Sequence, residues 1–85
     1  MNVEQTLEER GDRYGSYLNV ASYSQKLKND LRNMKNWAEL PPHMRESLDM
    51  ICNKLARIMS GDFNYADSWH DIAGYAGLVE KTLGE

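Results

Sequence analysis

The stretch that decides the fold is residues 45–83, which read RESLDMICNKLARIMSGDFNYADSWHDIAGYAGLVEKTL. Apolar side chains recur every three or four residues on both sides of a short loop at 61–65, a spacing typical of two amphipathic helices. Gly61 stands where the C-terminal glycine of a helix belongs, and Asp67 or Ser68 can cap the helix that follows. The stretch therefore predicts two consecutive helices, each with an apolar stripe.

The same spacing continues on the N-terminal side. One long helix is predicted at about 17–36 with Ser16 as its N-cap, and the next at about 42–60, where Pro41-Pro42 ends one helix and starts another. The predicted inward stripes of the three long helices are Tyr17, Val20, Ser24, Leu27, Leu31 and Met34; Met44, Leu48, Ile51, Leu55 and Ile58; and Trp69, Ile72, Ala76, Val79 and Leu83.

A short helix is predicted at about 3–10, where Thr6 and Glu9 have the spacing of a capping box. Gly11 and Gly15 then indicate a turn before the first long helix. No segment alternates apolar and polar residues between turn signals, so no sheet is expected. The predicted fold is an all-α bundle of three long helices plus a short N-terminal helix.

Length and composition limit the classes of protein to which this chain can belong. Eighty-five residues make a single domain, 1–85, with a small core, and such chains often gain stability by oligomerising. The net charge is −3, with 10 basic and 13 acidic residues interspersed, so no basic patch for nucleic acid is expected. No apolar run reaches the roughly 18 residues of a membrane span, and the single cysteine, Cys52, excludes an internal disulfide. We therefore expect a cytoplasmic protein without membrane or nucleic-acid partners.

Acidic residues occur at helical spacing on two of the predicted helices. The polar residues that share a face are Glu46, Asp49, Asn53 and Arg57 on one helix, and Asp67 and Asp71 on the next. Mg²⁺ prefers oxygen ligands, usually one or two carboxylates with water and substrate phosphate. If the helices cross near their N-terminal halves, Glu46, Asp49 and Asp71 form a catalytic magnesium site, with Asp67 as a further metal ligand. Antiparallel neighbours place these halves at opposite ends, in which case the site needs a different crossing or a second subunit.

Basic and aromatic residues near these acids indicate a phosphate-bearing ligand. The candidate nucleotide- or phosphate-binding residues are Lys54, Arg57, Asn53 and Tyr14. A lysine and an arginine can hold phosphate oxygens, and a tyrosine beside a glycine turn can stack on a base. Tyr17 and Tyr23 could stack in the same way, and the alternative for all three tyrosines is packing within the N-terminal segment.

Each candidate has a plainer alternative. Acids in the first turns of a helix suit the helix dipole, and a face of acidic, amide and basic side chains is commonly solvated. His70 could be a general base or a ligand, but a single histidine beside Trp69 is more often partly buried and hydrogen-bonded. Cys52 has no activating partner in the sequence and is expected to be a small packing residue.

Three segments carry a resemblance to known proteins. They are ERGDRYG at 9–15, RESLDMICNKLARI at 45–58 and DSWHDIAGYA at 67–76. Together they resemble a family of small phage and prophage proteins catalogued as a domain of unknown function, and the similarity covers nearly the whole chain. This resemblance implies the cytoplasm of a bacterial host and brings no established activity.

The acidic helices show a weaker resemblance to the all-α nucleoside triphosphate pyrophosphohydrolases of the MazG type. Those enzymes bind Mg²⁺ through Glu-Glu-x-x-Glu on one helix and Glu-x-x-Asp on the next, and they usually form dimers or tetramers. Glu46 and Asp49 match part of the first pattern, and Asp67 or Asp71 matches part of the second. Arg45 stands where an adjacent acid is expected, which weakens the case for catalysis more than the case for the fold.

Two functions from different classes are therefore expected. The first is a phage-type protein that binds a nucleotide and, with Mg²⁺, hydrolyses it as the pyrophosphohydrolases do. The alternative is a non-enzymatic phage accessory or counter-defence module that docks on a host protein. A homo-oligomer, either a dimer or a tetramer, is expected in both cases because three apolar stripes expose surface that one copy hardly covers.

Overall fold

The computed structural model describes residues 2–84, which form four α-helices and contain no strand. The elements are α1 (Val3–Tyr14), α2 (Tyr17–Arg32), a 3₁₀ turn (Trp37–Glu39), α3 (Pro42–Ser60) and α4 (Ala66–Lys81). The prediction of an all-α fold is confirmed. Residues 1 and 85, at the ends of the predicted domain 1–85, lie outside the described residues. Among residues 2–84 there is no helix whose length and hydropathy would let it cross a membrane.

The boundaries of α2, α3 and α4 follow local sequence signals with two exceptions. The Ser16 hydroxyl accepts a hydrogen bond from the Asn19 backbone N–H at 3.1 Å and so caps α2, while α3 has the predicted bounds. The predicted end of α2 near residue 36 is wrong, because the chain leaves the helix at Asn33. The predicted caps of α4 are also wrong, because the helix already begins at Ala66, with no side-chain cap at the preceding residue.

The N-terminal helix α1 is longer than predicted. Its capping box consists of Asn2 and Gln5 rather than Thr6 and Glu9, and the helix continues through Gly11 to Tyr14. It ends at Gly15, whose φ of 84° lies in the left-handed region that favours glycine. The predicted turn at 10–15 is therefore wrong for residues 10–14, which belong to α1, and only Gly15 lies outside the helix.

The central helix is α3, with α2 and α4 antiparallel to it on either side. A contact between Arg32 and Asp49 joins α2 to α3, and one between Lys54 and Asp71 joins α3 to α4. Because α2 and α4 both pack on α3 and scarcely touch each other, the three helices form a flat layer. The molecule measures 42 × 28 × 22 Å, and α1 packs on one side of this layer.

The helices of the layer meet mainly through small side chains. The buried residues among 2–84 are Val20, Ser24, Ser47, Cys52, Lys54, Ala56, Ile58 and Ser68, and no large side chain of this range is fully buried. Of the predicted inward stripes, only Val20, Ser24 and Ile58 belong to this group. The interpretation of the stripes as packing seams within one chain is wrong for exposed members such as Leu55, Trp69 and Leu83, since small residues occupy the contacts between helices.

Two glycines allow the α1–α2 turn to press against the end of α3. A Cβ at Gly15 would collide with Ser60, and a Cβ at Gly61 would collide with the backbone at Arg13 and Tyr14. The Asp62 backbone N–H donates to the Arg13 carbonyl at 2.8 Å, so the two junctions are joined backbone to backbone. This contact places the Tyr14 side chain over the C-terminal half of α3.

Candidate functional site

A cavity of about 410 Å³ lies where α1, α2 and α3 meet. The residues that line most of it are Leu7, Arg10, Tyr14, Tyr17, Asn53 and Arg57. Its position follows from the glycine contact described above, because Gly15 holds the start of α2 beside the end of α1. The cavity is therefore built from three separate helices, with apolar and aromatic walls and a few polar groups.

Two guanidinium groups lie against one tyrosine ring in this cavity. The Arg57 Cζ is 4.3 Å from the centroid of the Tyr14 ring, and the Arg10 Cζ is 5.2 Å from the same centroid. Arg10 precedes Tyr14 by one helical turn, so α1 alone brings this pair together. Cation–π contact orients the arginines while leaving their N–H donors free to bind an acceptor.

Neither arginine has an ionic partner within residues 2–84. The ion pairs in this part of the chain join Arg32 to Asp49 and Lys54 to Asp71. Three of the four acidic side chains of α1, Glu8, Glu9 and Asp12, line a separate groove with Gln5, and the fourth, Glu4, is exposed and lines neither groove nor cavity. At helical spacing, this groove lies on the side of α1 opposite Arg10 and Tyr14. The cavity thus carries two positive charges that no described carboxylate neutralises.

A second aromatic contact extends from the cavity toward α4. The rings of Tyr14 and Tyr65 meet edge to face with their centroids 6.0 Å apart, and the Arg13 Cζ lies 5.2 Å from the Tyr65 ring. The Tyr65 hydroxyl donates to Oδ2 of Asp67 at 3.0 Å, and this hydrogen bond is the main cause of a raised Tyr65 pKa. Asp67, a predicted metal ligand, is thus engaged by a tyrosine.

The structure does not bring the predicted magnesium ligands together. The guanidinium of Arg32 lies 3.3 Å from the carboxylate of Asp49, while Asp71 pairs with Lys54 at 3.2 Å. Glu46 is exposed, and among residues 2–84 no three acidic, histidine or cysteine side chains form a group that could hold a metal. The magnesium site remains a prediction, and a single described chain does not assemble it.

The antiparallel register explains why these acids stay apart. The Nε2 of His43 lies 3.0 Å from the hydroxyl of Thr82, and Lys54 contacts Asp71, so residue numbers rise along α3 as they fall along α4. This register places Glu46 opposite the C-terminal half of α4. By this register Glu46 lies opposite Val79. Val79 is eight residues from Asp71, which is about 12 Å along the helix axis at 1.5 Å per residue.

The predicted phosphate-binding residues have a different outcome. Tyr14, Asn53 and Arg57 line the same cavity, whereas Lys54 is buried against α4 and paired with Asp71. Sequence reasoning missed Arg10 because Gly11 was interpreted as part of a turn. The available signal was the one-turn spacing of Arg10 and Tyr14, which has meaning only if the helix continues through that glycine.

The remaining candidates lie outside the cavity. His70 is exposed and lines a shallow groove on α4, and Tyr23 does not line the cavity although Tyr17 does. Cys52 is buried, in agreement with a packing role, and desolvation by burial raises the pKa of its thiol. None of these residues adds a charged group to the cavity.

Comparison of the chain with protein-family models, curated proteins and solved structures gave no match. Among residues 2–84, the cavity with its two guanidinium groups outside any ion pair is the feature that best indicates a ligand.

Proposed function

We propose that this protein binds a mononucleotide or a closely related phosphate ester in the cavity between α1, α2 and α3. The observation that supports the proposal is the pair of arginines, Arg10 and Arg57, held against Tyr14 with no described carboxylate to neutralise them. An uncompensated pair of cations beside apolar walls favours a ligand with an anionic end and a flat apolar end.

Each end of such a ligand has suitable partners in the cavity. A guanidinium group binds phosphate through parallel N–H donors, so Arg10 and Arg57 suit the phosphate. The N-terminus of α2 lies at the same cavity and has no acidic residue in its first turn, so its backbone dipole also favours an anion. The walls at Leu7 and Tyr17 suit a base, and the Asn53 amide can bond to its polar edge.

The size of the cavity favours a small ligand. Pockets for small molecules and cofactors usually enclose about 300–1,000 Å³. At about 410 Å³ the cavity is at the small end of this range, which suits a mononucleotide better than a dinucleotide. Arg10 is exposed and Arg57 is half-buried, so water reaches the cavity and the attraction of the arginines to phosphate should weaken as salt is added.

Hydrolysis is a separate part of the expected function and has less support. The residues that line the cavity include no carboxylate, and the acids of the predicted magnesium site are divided among other contacts. Binding without chemistry is therefore the function that the geometry favours. A pyrophosphate-release assay with Mg²⁺ or Mn²⁺ tests the hydrolytic version, with Glu46→Gln and Asp49→Asn as variants that must lose any activity observed.

Calorimetric titration of the purified chain tests the binding proposal. We expect AMP or UMP to bind more tightly than adenosine, uridine or inorganic phosphate alone, because only the nucleotides fill both ends of the cavity. Arg57→Ala and Arg10→Ala should each weaken binding by about 10- to 100-fold, the usual effect of losing a hydrogen bond to a charged group.

Arg13→Ala is the matched control, since Arg13 stacks on Tyr65 and does not line the cavity. This variant should bind the nucleotide like the unmodified chain. Equal binding by the Arg57→Ala variant, or no binding of any nucleotide at millimolar concentration, would contradict the proposal.

A further inference from the structure

The layer of helices has two sides, which the contacts of α3 distinguish. Asp49 points to α2, Lys54 points to α4, and Arg57 lines the cavity on the side of α1. Successive residues of a helix are about 100° apart, so Leu55 and Met59 fall on the remaining side, opposite α1. Both side chains are exposed there.

The fourth helix presents apolar residues to the same side. Asp67 lies on the side of α1, because it bonds to Tyr65, which packs on Tyr14. Leu78, eleven residues further along, shares that side at helical spacing. Trp69 lies on the opposite side of α4 and is exposed. Leu83, in the turn that follows the end of α4 at Lys81, is exposed as well.

The second helix completes this surface. Tyr17 lines the cavity on the side of α1, while Val20 and Ser24 are buried against α3. Tyr23 falls on the other side of the buried positions and is exposed. Met34, two residues beyond the end of α2, is exposed as well. We use the name open face for the surface formed by Tyr23, Met34, Leu55, Met59, Trp69 and Leu83.

The exposed area of the chain is larger than that of a typical monomer of its mass. A folded monomer of 9.8 kDa is expected to expose about 5,200 Å², whereas this chain exposes 6314 Å². The radius of gyration, 14.5 Å, likewise exceeds the roughly 12 Å expected for a compact domain of this length. The excess of about 1,100 Å² is more than the roughly 800 Å² that each partner buries in a standard stable interface.

We infer that a second copy of this chain covers the open face and forms a homodimer in which the two layers stack. The six named residues of the face are uncharged and mostly large and apolar, as in the core of an obligate interface. Lys26 and Asp30, three and seven residues after Tyr23, add one exposed charge of each sign at the α2 edge of the same face. The α3 helix is in the middle of each layer, so a two-fold axis between the two α3 helices places the open face of one copy against the open face of the other.

The small core explains why the occupant is another copy rather than an occasional partner. No large side chain of the described part of the chain is fully buried in one copy, so a single copy has a smaller core than stable small domains need. A second copy is present whenever the chain is made, whereas a host protein is not. The cavity lies on the opposite side of the layer, so ligand binding and dimerisation can be tested separately.

Analytical ultracentrifugation of the full chain tests this inference. We expect a mass of twice 9.8 kDa at concentrations down to about 10 µM. Met59→Glu should raise the dimer dissociation constant at least about tenfold, because a charge would be buried within the interface. Leu18→Glu is the matched control: Leu18 is 78 % exposed and Met59 75 %, but Leu18 lies outside the open face.

The fluorescence of Trp69 gives a second measurement that needs no change in the open face. In a Trp37→Phe background, Trp69 is the single tryptophan, and it is 54 % exposed in one copy. Its emission should move to shorter wavelength as concentration rises and dimers bury the ring. A folded monomer at about 100 µM with unshifted emission would overturn the inference, as would equal dissociation by Leu18→Glu and Met59→Glu.

Discussion

The Nζ of Lys54 lies 3.2 Å from Oδ2 of Asp71, and this pair joins the middle of α3 to the first half of α4. The lysine side chain is only 10 % exposed, whereas the aspartate side chain is 43 % exposed. The aspartate therefore neutralises a buried cation from a position that water still reaches. The pair therefore stabilises the packing of α4 on α3. The sequence predicts other roles for these two residues, phosphate binding for Lys54 and catalysis for Asp71.

Removing the charge of Asp71 should destabilise the fold. Asp71→Asn leaves the buried ammonium of Lys54 without its carboxylate, and the expected loss is about 1–3 kcal/mol in the free energy of unfolding. This loss of stability is smaller than the loss expected for a fully buried ion pair, because water reaches Asp71. Urea unfolding followed by circular dichroism measures the change.

Glu80→Gln is the control for this prediction, because it removes an exposed carboxylate of the same helix that forms no ion pair within residues 2–84. It should change the free energy of unfolding by less than about 0.5 kcal/mol, as surface substitutions usually do. Lys54→Met removes the buried charge itself and should restore much of the stability lost in Asp71→Asn. Failure of the double variant to recover stability would contradict the buried-cation explanation.

The glycines differ sharply in their tolerance of a side chain. Gly15→Ala introduces a Cβ that collides with Ser60 and strains a positive φ, and Gly61→Ala meets the backbone of Tyr14. Each substitution should lower the free energy of unfolding by at least about 2 kcal/mol. Differential scanning calorimetry of the two variants measures this loss as a lower melting temperature.

Gly11 and Gly74 provide the matched comparison, because a Cβ at either position meets no atom within 4 Å in the described chain. Both lie inside helices, where alanine is favoured over glycine by roughly 0.5–1 kcal/mol. Gly11→Ala and Gly74→Ala should therefore raise the melting temperature. If Gly15→Ala were as stable as Gly11→Ala, the backbone contact between the α1–α2 turn and the end of α3 would be wrong.

The helices and their apolar stripes could be predicted from sequence, but the partner of the stripes could not. The three-and-four spacing of Leu55, Trp69 and Leu83 correctly indicated helices, since that pattern follows from 3.6 residues per turn. It does not say whether the stripe meets another helix of the same chain. The contacts within the layer use Ser24, Ala56 and other small residues, and their side chains give no strong periodic signal.

The candidate site was partly predictable for a similar reason. Asn53 and Arg57 share a face by spacing within one helix, which sequence reveals directly. The position of Tyr14 beside them depends on the close approach at Gly15 and Gly61, a tertiary contact between residues far apart in the chain. Arg10 could not be predicted for a local reason, since Gly11 indicates a turn in sequence whereas α1 continues through it to Tyr14.

The buried thiol of Cys52 should react slowly in the native protein. Cys52 is 3 % exposed, and burial, with a smaller contribution from nearby Asp49, raises the pKa of its thiol above the ordinary value of 9.0. Modification by a thiol reagent at neutral pH should be at least about a hundredfold slower than in urea, because it requires opening of the structure. Equal rates in buffer and in urea would contradict the placement of Cys52 in the core.

The raised pKa of Cys52 also gives a direction to the pH dependence of stability. The folded state holds the thiol proton more tightly than the unfolded chain, so this contribution is complete below the unfolded pKa of 9.0. It is lost as the pH rises through the higher pKa of the folded state. Urea midpoints should therefore fall above pH 9, and they should fall less steeply in Cys52→Ala.

Tyr65 should ionise at a higher pH than an ordinary tyrosine, because its pKa is raised. The hydrogen bond that its hydroxyl donates to Asp67 is the main cause of its raised pKa, because ionisation removes the donor and sets a phenolate beside a carboxylate. An ultraviolet titration of tyrosinate should thus lose its highest-pH step in Tyr65→Phe. In Asp67→Asn the same step should move toward the ordinary value of 10.0, because the carboxylate that favours the protonated phenol is gone. Tyr23→Phe is the control, and an unchanged titration in Asp67→Asn would show that this hydrogen bond does not form in solution.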